Sequence, residues 1–462
     1  MKIIGREEEI NKLKFLHNSN KPELAAVYGK IGVGKTFLIE NFFNNKFFFN
    51  YTGSKNITNK QELERFSKEL NIFIKLNNWD QAFNELKKII QASNNNSKKV
   101  IFIDEISFLD KHKSGFLNSL EYFWNSFCIS RKDILLIICS SATSWIINKV
   151  FNKTCGLYDK IASRICINEF NLSECDEYLK NIDIKYDMYS ITKAYMVFGG
   201  IPYYYSLFNK EKLVEQNIDN LLFKEDAILK NEYLKITSSL LDNKDEYLKV
   251  IRAIATKNSG LTRNEIIEII KYNSGGTLTK ILSDLELNGF IRKYNSVSFT
   301  KKESVYQIID NFTLFYYNFL ETNVLKSRSP FLLDNNDSFL SSWKNYAYEL
   351  ICLKHVPQIK KALGIGGVSS CTYSFKNENT QIDLIIDRAD NVINIFEIKF
   401  SLSQYNIDKS YDIELRNKLQ TFIEATKTRK SLFLVFITTF GLKNSIYNDL
   451  VTKELTLEDL FV

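Results

Sequence analysis

Metal-ligand clusters, disulfide patterns and long apolar runs are missing from this sequence of 462 residues. Its three histidines lie far apart, at positions 17, 112 and 355, and its seven cysteines form no Cys-x-x-Cys pair. Neither residue type therefore indicates a zinc site, and the scattered cysteines are typical of reduced thiols in a cytosolic protein. The longest apolar runs, near 134–139 and 432–437, are far shorter than the roughly 18–20 residues of a membrane-spanning helix.

The N-terminal residues Met1–Arg6 carry charge and contain no apolar stretch of the kind found in a signal peptide. We therefore expect a cytoplasmic protein without a membrane partner. Lysine and arginine (61) outnumber aspartate and glutamate (54), which gives a net charge of +7. This mild excess permits a nucleic-acid partner but does not require one. The length allows about three domains.

Apolar strands alternate with helical segments in the first part of the chain. The predicted strands are Leu24–Tyr28, Lys99–Ile103 and Ile134–Cys139. Strands that alternate with helical segments of roughly 10–20 residues are typical of a parallel α/β sheet. A glycine-rich loop directly follows the first strand and precedes a predicted helix at Phe37–Asn44.

This loop has the Walker A pattern Gly-x-x-x-x-Gly-Lys-Thr in the expected strand–loop–helix context. Its glycines let the backbone curl so that successive N–H groups point at phosphates, and the following helix adds the positive end of its dipole. We expect Lys35 to reach the β- and γ-phosphates and Thr36 to bind Mg²⁺ through its hydroxyl group. The predicted phosphate-binding residues are Gly29, Lys30, Ile31, Gly32, Val33, Gly34, Lys35 and Thr36.

The second strand fits the Walker B pattern, because it is apolar and ends in Asp104-Glu105. We expect Asp104 to hold Mg²⁺ and Glu105 to polarise the attacking water. Ser141, which with Ser140 ends the third strand, is a candidate sensor of the γ-phosphate. Arg164 is a candidate arginine finger or sensor, and a solvated surface arginine is an equally good interpretation.

Together these motifs resemble the prokaryotic, archaeal-type ATPases of the STAND branch of AAA+-like P-loop proteins. The matching segments are Ile4–Glu7, Gly29–Thr36, Ile101–Glu105, Cys139–Ser144 and Gly199–Pro202. The resemblance implies ATP as the ligand, with adenine bound between the Gly5-Arg6 segment and the turn at Pro202. From the residues alone that turn is only a helix break. The family often carries a second basic residue in the loop, where this sequence has Ile31.

The resemblance and the residue pattern together divide the chain. We predict a P-loop ATPase core at 1–170, a helical lid at 171–244, a winged helix at 245–325 and a linker at Lys326–Asn336. The winged helix would consist of helices at Tyr247–Lys257, Thr262–Tyr272 and Gly276–Asn288 and a β-turn-β wing at Phe290–Thr300. Its third helix lacks the basic face of a DNA reader, because Asp284 and Glu286 offset Lys280. We therefore favour a structural or relay role over sequence-specific DNA binding.

The last part of the chain, 338–462, reads as a smaller αβββαβ domain. The predicted elements are a helix at Ser338–His355, strands at Val368–Phe375, Gln381–Asp387 and Val392–Phe400, a helix at Tyr411–Lys427 and a strand at Leu432–Thr438. The fold class is thus α/β: a parallel P-loop sheet, then a helical and winged-helix region, then this smaller domain.

Two strands of this domain carry charges in unusual places. Period-two alternation puts Glu397 and Lys399 on one face of an otherwise apolar strand, and Asp383 interrupts a neighbouring one. Burial of such charges is costly unless they are paired or bind a metal. Asp383 and Glu397 are therefore candidate Mg²⁺ ligands, with Glu349 completing the shell. Lys399 would orient or deprotonate a water for attack on a phosphodiester.

An exposed edge strand with a solvated Glu–Lys pair would give the same short pattern. The stretches Thr380–Asp387 and Asn394–Phe400 nevertheless resemble the PD-(D/E)xK nuclease-like domain that follows the ATPase in the same family. Two functions stay open. One is an ATP-dependent enzyme that binds or cleaves DNA or another nucleic acid. The other is a regulatory ATPase switch whose C-terminal domain binds a protein partner or a second copy of the chain.

Overall fold

The computed structural model describes residues 2–93, 97–237, 244–271, 275–297, 302–321, 338–377 and 380–462. The predicted linker Lys326–Asn336 lies outside the described residues. These residues divide into two compact units, with the boundary between Glu169 and Phe170. Among the helices that the structure describes, none has the length and apolar character needed to cross a membrane.

The first unit is an α/β layer structure built on one parallel sheet. Its strands are β1 (Glu23–Tyr28), β2 (Phe49–Thr52), β3 (Lys99–Asp104), β4 (Ile134–Ser140) and β5 (Ile161–Cys166), and its helices are α1 (Glu7–Asn18), α2 (Lys35–Phe42), α3 (Asn59–Glu69), α4 (Trp79–Ala92), α5 (Phe116–Ser126) and α6 (Thr143–Trp145). The strand order is β2-β3-β4-β1-β5, with every neighbouring pair parallel. The predicted parallel α/β sheet is thereby confirmed, with two strands more than the three that were predicted.

The central strands β3 and β4 are buried along their whole length. The edge strand β2 alternates between buried and exposed positions, and most of the edge strand β5 is half-buried or exposed. Strands covered on both faces become continuous apolar runs. The sequence therefore predicted the central strands and missed the two edge strands, whose patterns are short and mixed. Because β1 and β3 run in the same direction, the residues that follow them meet at one edge of the sheet.

The second unit begins with a helical region, as predicted. Its helices are α7 (Leu172–Asn181), α8 (Met188–Phe198), α9 (Pro202–Tyr205), α10 (Val214–Leu222) and α11 (Glu232–Ile236). The Gly199–Pro202 turn joins α8 to α9. Gly199 has a left-handed φ of 60°, and the backbone N–H of Phe170 donates to the carbonyl of Gly200. The turn is therefore fixed by backbone contacts that leave no room for a side chain.

Three helices and a small antiparallel sheet follow. They are α12 (Lys244–Ala255), β6 (Leu261–Thr262), α13 (Arg263–Ile270), α14 (Gly276–Leu287), β7 (Ile291–Val297) and β8 (Lys302–Ile308), with α15 (Asn311–Phe315) after them; the sheet order is β6-β8-β7. The three predicted helices are present, but the predicted wing was too short, because β8 begins only at Lys302. Winged-helix identity stays a prediction.

The third helix of this region does not have the charge pattern that the sequence suggested. Asp284 is buried and accepts a hydrogen bond of 2.7 Å from the hydroxyl of Tyr247, whereas Lys280 and Glu286 are exposed. Asp284 therefore faces the helix packing and does not neutralise Lys280 at the surface.

The chain ends in a mixed five-stranded sheet with helices. Its elements are α16 (Ser338–Lys354), α17 (Val356–Ala362), β9 (Ser370–Lys376), β10 (Gln381–Arg388), β11 (Val392–Lys399), α18 (Lys409–Thr426), β12 (Ser431–Thr438) and β13 (Val451–Leu455). The strand order is β13-β12-β11-β10-β9, in which β11, β12 and β13 are parallel and β9 and β10 pair antiparallel. Because β11 is the central strand and Glu397 is 6% exposed, the edge-strand interpretation is wrong.

Gly200 provides a test of the turn between α8 and α9. A Cβ atom there would lie 1.8 Å from the carbonyl oxygen of Phe170 and 2.7 Å from its carbonyl carbon and nitrogen. Since these are backbone atoms, relief requires a shift of the chain. We expect Gly200→Ala to lower the free energy of unfolding by about 1–3 kcal/mol in denaturant titration. Gly366→Ala, at a position with open space around it, is the control, and equal stability of both variants would contradict the packing argument.

Candidate functional site

The loop between β1 and α2 has the curled backbone that its glycines require. Gly29, Gly32 and Gly34 have φ angles of 150°, 81° and 93°, in the region that favours glycine. A Cβ atom on Gly29 would also lie 2.2 Å from the carbonyl oxygen of Ile167. Gly34 then caps α2, which begins at Lys35. The N-terminal end of this helix therefore points into the curl, as an anion site needs.

Lys35 is buried inside this loop. Its ammonium group donates to the carbonyl oxygens of Gly29 at 3.0 Å and Lys30 at 2.8 Å. These bonds hold a positive charge against the inner side of the curl. The arrangement is that of a lysine poised for the phosphates of a nucleotide.

Thr36 and Asp104 meet where α2 starts and β3 ends. The Thr36 hydroxyl donates to Oδ2 of Asp104 at 2.6 Å, and Oδ1 of Asp104 accepts from the backbone N–H of Glu105 at 2.8 Å. A hydroxyl beside a carboxylate is the oxygen donor set that Mg²⁺ prefers. The residues present thus fit the predicted ion, and its binding stays a prediction.

The carboxylate of Glu105 is held by Ser141, a contact that the sequence did not predict. Its Oε2 accepts from the backbone N–H of Ser141 at 3.0 Å and from the Ser141 hydroxyl at 2.7 Å. Burial raises the pKa of Glu105, and the nearby Lys35 partly offsets this rise. Glu105 also has a left-handed φ of 48°, which is uncommon for a residue with a side chain. Glu105, predicted to polarise the attacking water, and Ser141, predicted to sense the γ-phosphate, are therefore hydrogen-bonded to each other.

Arg164 and Pro202 are the two further residues predicted to bind the nucleotide. Arg164 is exposed on β5, where its guanidinium group lies 4.4 Å from the ring centre of Phe151 and 4.8 Å from that of Tyr158. Pro202 is the first residue of α9 in the second unit. Both roles stay predictions. Arg6 is buried and donates to the carbonyl of Asn168 at 2.8 Å.

A second group of charged side chains surrounds Glu397 on β11. The ammonium groups of Lys399 and Lys418 lie 2.9 Å and 2.7 Å from its two oxygens, and the Tyr411 hydroxyl donates to the first of them. The sequence analysis missed Tyr411 and Lys418. Their spacing of seven residues on α18 puts them on one helix face, so a helix-face comparison could have found them.

Asp383 and Glu349 belong to the same electrostatic group. Burial raises the pKa of Asp383, against the effects of a bond of 2.6 Å from Gln381 and of the nearby Arg292. Burial, followed by the charge of Asp383, holds the pKa of Glu349 on α16 well above its usual range. The structure therefore brings all four predicted residues of this centre, Glu349, Asp383, Glu397 and Lys399, into mutual electrostatic range.

Pairing with two lysines sets the charge of Glu397. Burial alone would raise the pKa of Glu397, but Lys399 and Lys418 lower it to about 2. Burial opposes the charge of Lys399, yet Glu397 raises the pKa of Lys399 above its ordinary value. The pairing therefore favours the charged forms of both residues, and the predicted role of Lys399 toward a water stays a prediction.

The described residues contain no group of three or more His, Cys, Asp or Glu side chains that could hold a metal ion. Both oxygens of Glu397 already accept hydrogen bonds from lysine or tyrosine. As arranged, these carboxylates do not form a ready metal cage. Metal binding by Glu349, Asp383 and Glu397 stays a prediction.

Comparison with known proteins agrees with the first unit's geometry. Residues 3–208 match the model of a family described as an ATPase domain predominantly from Archaea. This segment is therefore similar to an archaeal-type ATPase domain, in agreement with the predicted P-loop ATPase core. An uncharacterised protein of Methanocaldococcus jannaschii is 26% identical over 327 residues, which cover 70% of this chain and 70% of that protein.

Two solved structures show a more distant likeness. The Walker-type ATPase of Pyrococcus abyssi is 17% identical, with a TM-score of 0.48 over 69% of this chain and 96% of its own. The Aeropyrum pernix ORC2 protein, in ADPNP–ADP complexes, is 12% identical, with a TM-score of 0.46 over 77% of this chain and 96% of its own. The STAND branch, the winged helix and the nuclease-like domain stay predictions.

Lys35→Ala tests the phosphate loop. Loss of a buried charge that would bond to phosphates is expected to weaken binding of a fluorescent ATP analogue by about tenfold or more. Titration calorimetry or fluorescence titration gives the dissociation constant. Lys12→Ala, at an exposed position on α1, is the control. Unchanged affinity in the Lys35 variant would show that the nucleotide binds elsewhere.

Proposed function

We propose that this protein is an ATP-binding and ATP-hydrolysing P-loop ATPase coupled to a C-terminal nuclease-like domain that binds or cleaves nucleic acid. The observation that carries the ATPase part is the curled loop at 29–36, with the Lys35 ammonium group inside it and Thr36 bonded to Asp104. The match of residues 3–208 to an ATPase domain supports it independently.

The hydrolytic mechanism follows from these positions. Thr36 and Asp104 would hold Mg²⁺, which neutralises phosphate charge when bound. Lys35 would stabilise the charge that develops on the β- and γ-phosphates. Glu105 would align the attacking water and take its proton. A carboxylate whose pKa is raised by burial is a better proton acceptor near neutral pH, and the raised pKa of Glu105 has this cause.

The bond between Ser141 and Glu105 gives this site two arrangements. While Ser141 donates to Oε2 of Glu105, that oxygen is engaged and the carboxylate is less able to take a proton. A γ-phosphate that accepts the Ser141 hydroxyl would release Glu105 toward the water. Nucleotide occupancy would thereby switch the carboxylate from a resting to a working position.

The nucleic-acid part of the proposal is supported by the charges around Glu397. Lys399 and Lys418 extend from adjacent elements to one carboxylate. A phosphodiester oxygen approaching from the open side would meet two ammonium donors. Asp383 on the neighbouring strand β10 completes the Asp…Glu-x-Lys pattern that the PD-(D/E)xK resemblance implies. Neither a particular nucleic acid nor a metal-dependent step is needed for this binding.

One observation favours the second function, an ATP-controlled switch with a C-terminal domain that binds a protein partner or a second copy. Glu397 is already neutralised by Lys399, Lys418 and Tyr411. A centre with its central carboxylate so engaged can be a purely structural network. Activity on nucleic acid separates the two functions.

Glu105→Gln tests hydrolysis separately from binding. The amide keeps the size of the side chain but cannot accept the proton, so we expect ATP turnover to fall by about 10²–10⁴-fold. Affinity for ATP should change little. Phosphate release and calorimetry measure the two quantities. Hydrolysis at the wild-type rate would remove Glu105 from the mechanism.

Lys399→Ala tests the C-terminal centre. We expect it to reduce nicking of supercoiled plasmid in the presence of Mg²⁺, because it removes a cation beside Glu397. Lys409→Ala, exposed at the start of α18, is the matched control and should nick like the wild type. Equal nicking by the Lys399 variant would exclude that lysine. Absence of binding and cleavage of DNA and RNA by the wild type would favour the switch.

A further inference from the structure

The side chain of Arg292 on β7 is half-buried and interacts with Asp383 and Glu349 of the C-terminal centre, although it belongs to the hairpin that precedes that domain. Its Nε donates to Oε1 of Gln307 at 2.6 Å, and its guanidinium group lies 4.8 Å from the ring centre of Tyr294. Its Nη2 is fully buried and has no hydrogen-bond partner among the residues that the structure describes. The Nε side of the guanidinium group is thus fixed by a hydrogen bond, and its Nη2 donor lacks an acceptor.

The acidic residues near Arg292 do not supply that acceptor. Arg292 interacts electrostatically with Asp383 and Glu349, but within the described parts of the chain no carboxylate comes within ion-pair distance of it. Oδ1 of Asp383 accepts from Gln381. A guanidinium group that served only to neutralise these carboxylates would bond to them directly.

The hairpin is held against the C-terminal sheet by several contacts. Strand β7 packs along β9. The Lys376 ammonium group on β9 donates to the Ser259 hydroxyl at 2.7 Å, and the Tyr346 hydroxyl on α16 donates to the carbonyl of Ile308 at 3.2 Å. Gln307, which positions Arg292, is itself buried and donates to the carbonyl of Asn258 at 2.9 Å. The hairpin that carries Arg292 is therefore held against the C-terminal sheet, and Gln307 holds Arg292 within the hairpin.

We propose that Arg292 is a phosphate-binding residue of the C-terminal centre, so that the β7–β8 hairpin and the β9–β13 sheet form one composite site for a nucleic-acid phosphodiester. The inference rests on the proposed nucleic-acid function and adds a residue that neither the sequence motif nor the family resemblance contains. Arginine suits this role because its planar fork can bond to two phosphate oxygens. Because Nη2 is fully buried in the present arrangement, a phosphodiester would reach this donor only after a movement that exposes it.

The test uses the full chain and a fluorescein-labelled 20-nucleotide strand, as single-stranded DNA, duplex DNA and RNA, in EDTA. Fluorescence anisotropy gives the dissociation constant over a series of salt concentrations. We expect Arg292→Gln to weaken binding about tenfold and to reduce the slope of log affinity against log salt by about one, the change expected for one lost phosphate contact. Arg388→Gln, which removes an arginine paired with Asp390 at the end of β10, should leave both quantities unchanged.

Arg292→Lys keeps the charge and loses the fork, so it should bind more weakly than the wild type yet retain the salt slope. Arg292→Lys also tests the role of Arg292 if Arg292→Gln melts at a lower temperature. A structural defect alone would not weaken the affinity while leaving the salt slope unchanged.

If the wild type binds nucleic acid and both Arg292 variants bind it with the same affinity and salt slope, Arg292 does not bind phosphate. The proposed function would then still stand. Tighter binding or faster nicking by Arg292→Gln would identify Arg292 as an inhibitory plug, which also overturns its phosphate-binding role. A wild type that neither binds nor cleaves DNA or RNA would overturn the proposed nucleic-acid function together with this inference.

Discussion

The burial of the Lys35 ammonium group is the interaction on which the nucleotide site depends. A charge that leaves water needs oxygen acceptors around it, and here the acceptors are the carbonyls of Gly29 and Lys30. Those carbonyls face inward only because the loop passes through three positive φ angles at glycine. The backbone and the lysine thus require each other. Thr36 then reaches Asp104 because it is the next residue along the helix that this loop starts.

The C-terminal centre also contains a buried charge that needs partners, but here the charge is negative. Glu397 lies in the middle of a sheet, where an unpaired carboxylate would be costly, and two lysines and a tyrosine satisfy it. Two of those three partners come from α18, so the helix is tied to the sheet through a charge. The raised pKa of Lys399 follows from this pairing, which favours the charged form of the lysine.

Local sequence pattern was sufficient for the parts of the fold that are buried or carry a spaced motif. Strands β3 and β4 are apolar on both faces, and the loop at 29–36 combines glycine spacing with a strand and a helix. Strands β2, β5 and β13 lie at sheet edges, where half-exposed residues blur the apolar pattern. The second strand of the hairpin was missed because charged residues open it at Lys302.

The contacts that define the two centres were beyond local pattern because they join residues distant in sequence. Ser141 meets Glu105 across 36 positions, Lys418 meets Glu397 across 21, and Arg292 is close to Asp383 only because β7 packs along β9. Periodicity predicts which face of an element is buried, but not which distant residue that face will contact. Lys418 is the exception, because its spacing of seven residues from Tyr411 on α18 puts the two side chains on one helix face.

The position of the β7–β8 hairpin bears on what the region before it does. In a winged helix that reads DNA, the third helix lies in the major groove, and a wing would have to be free to approach the duplex. Here the hairpin instead packs against β9 and presents Arg292 toward Asp383 and Glu349. Asp284 is buried and does not offset Lys280 on the surface of α14, whereas Glu286 is exposed there. The face of β7 that packs along β9 cannot contact a groove at the same time. A relay role for this region stays a prediction, and the packing of β7 along β9 gives it a path to the C-terminal sheet.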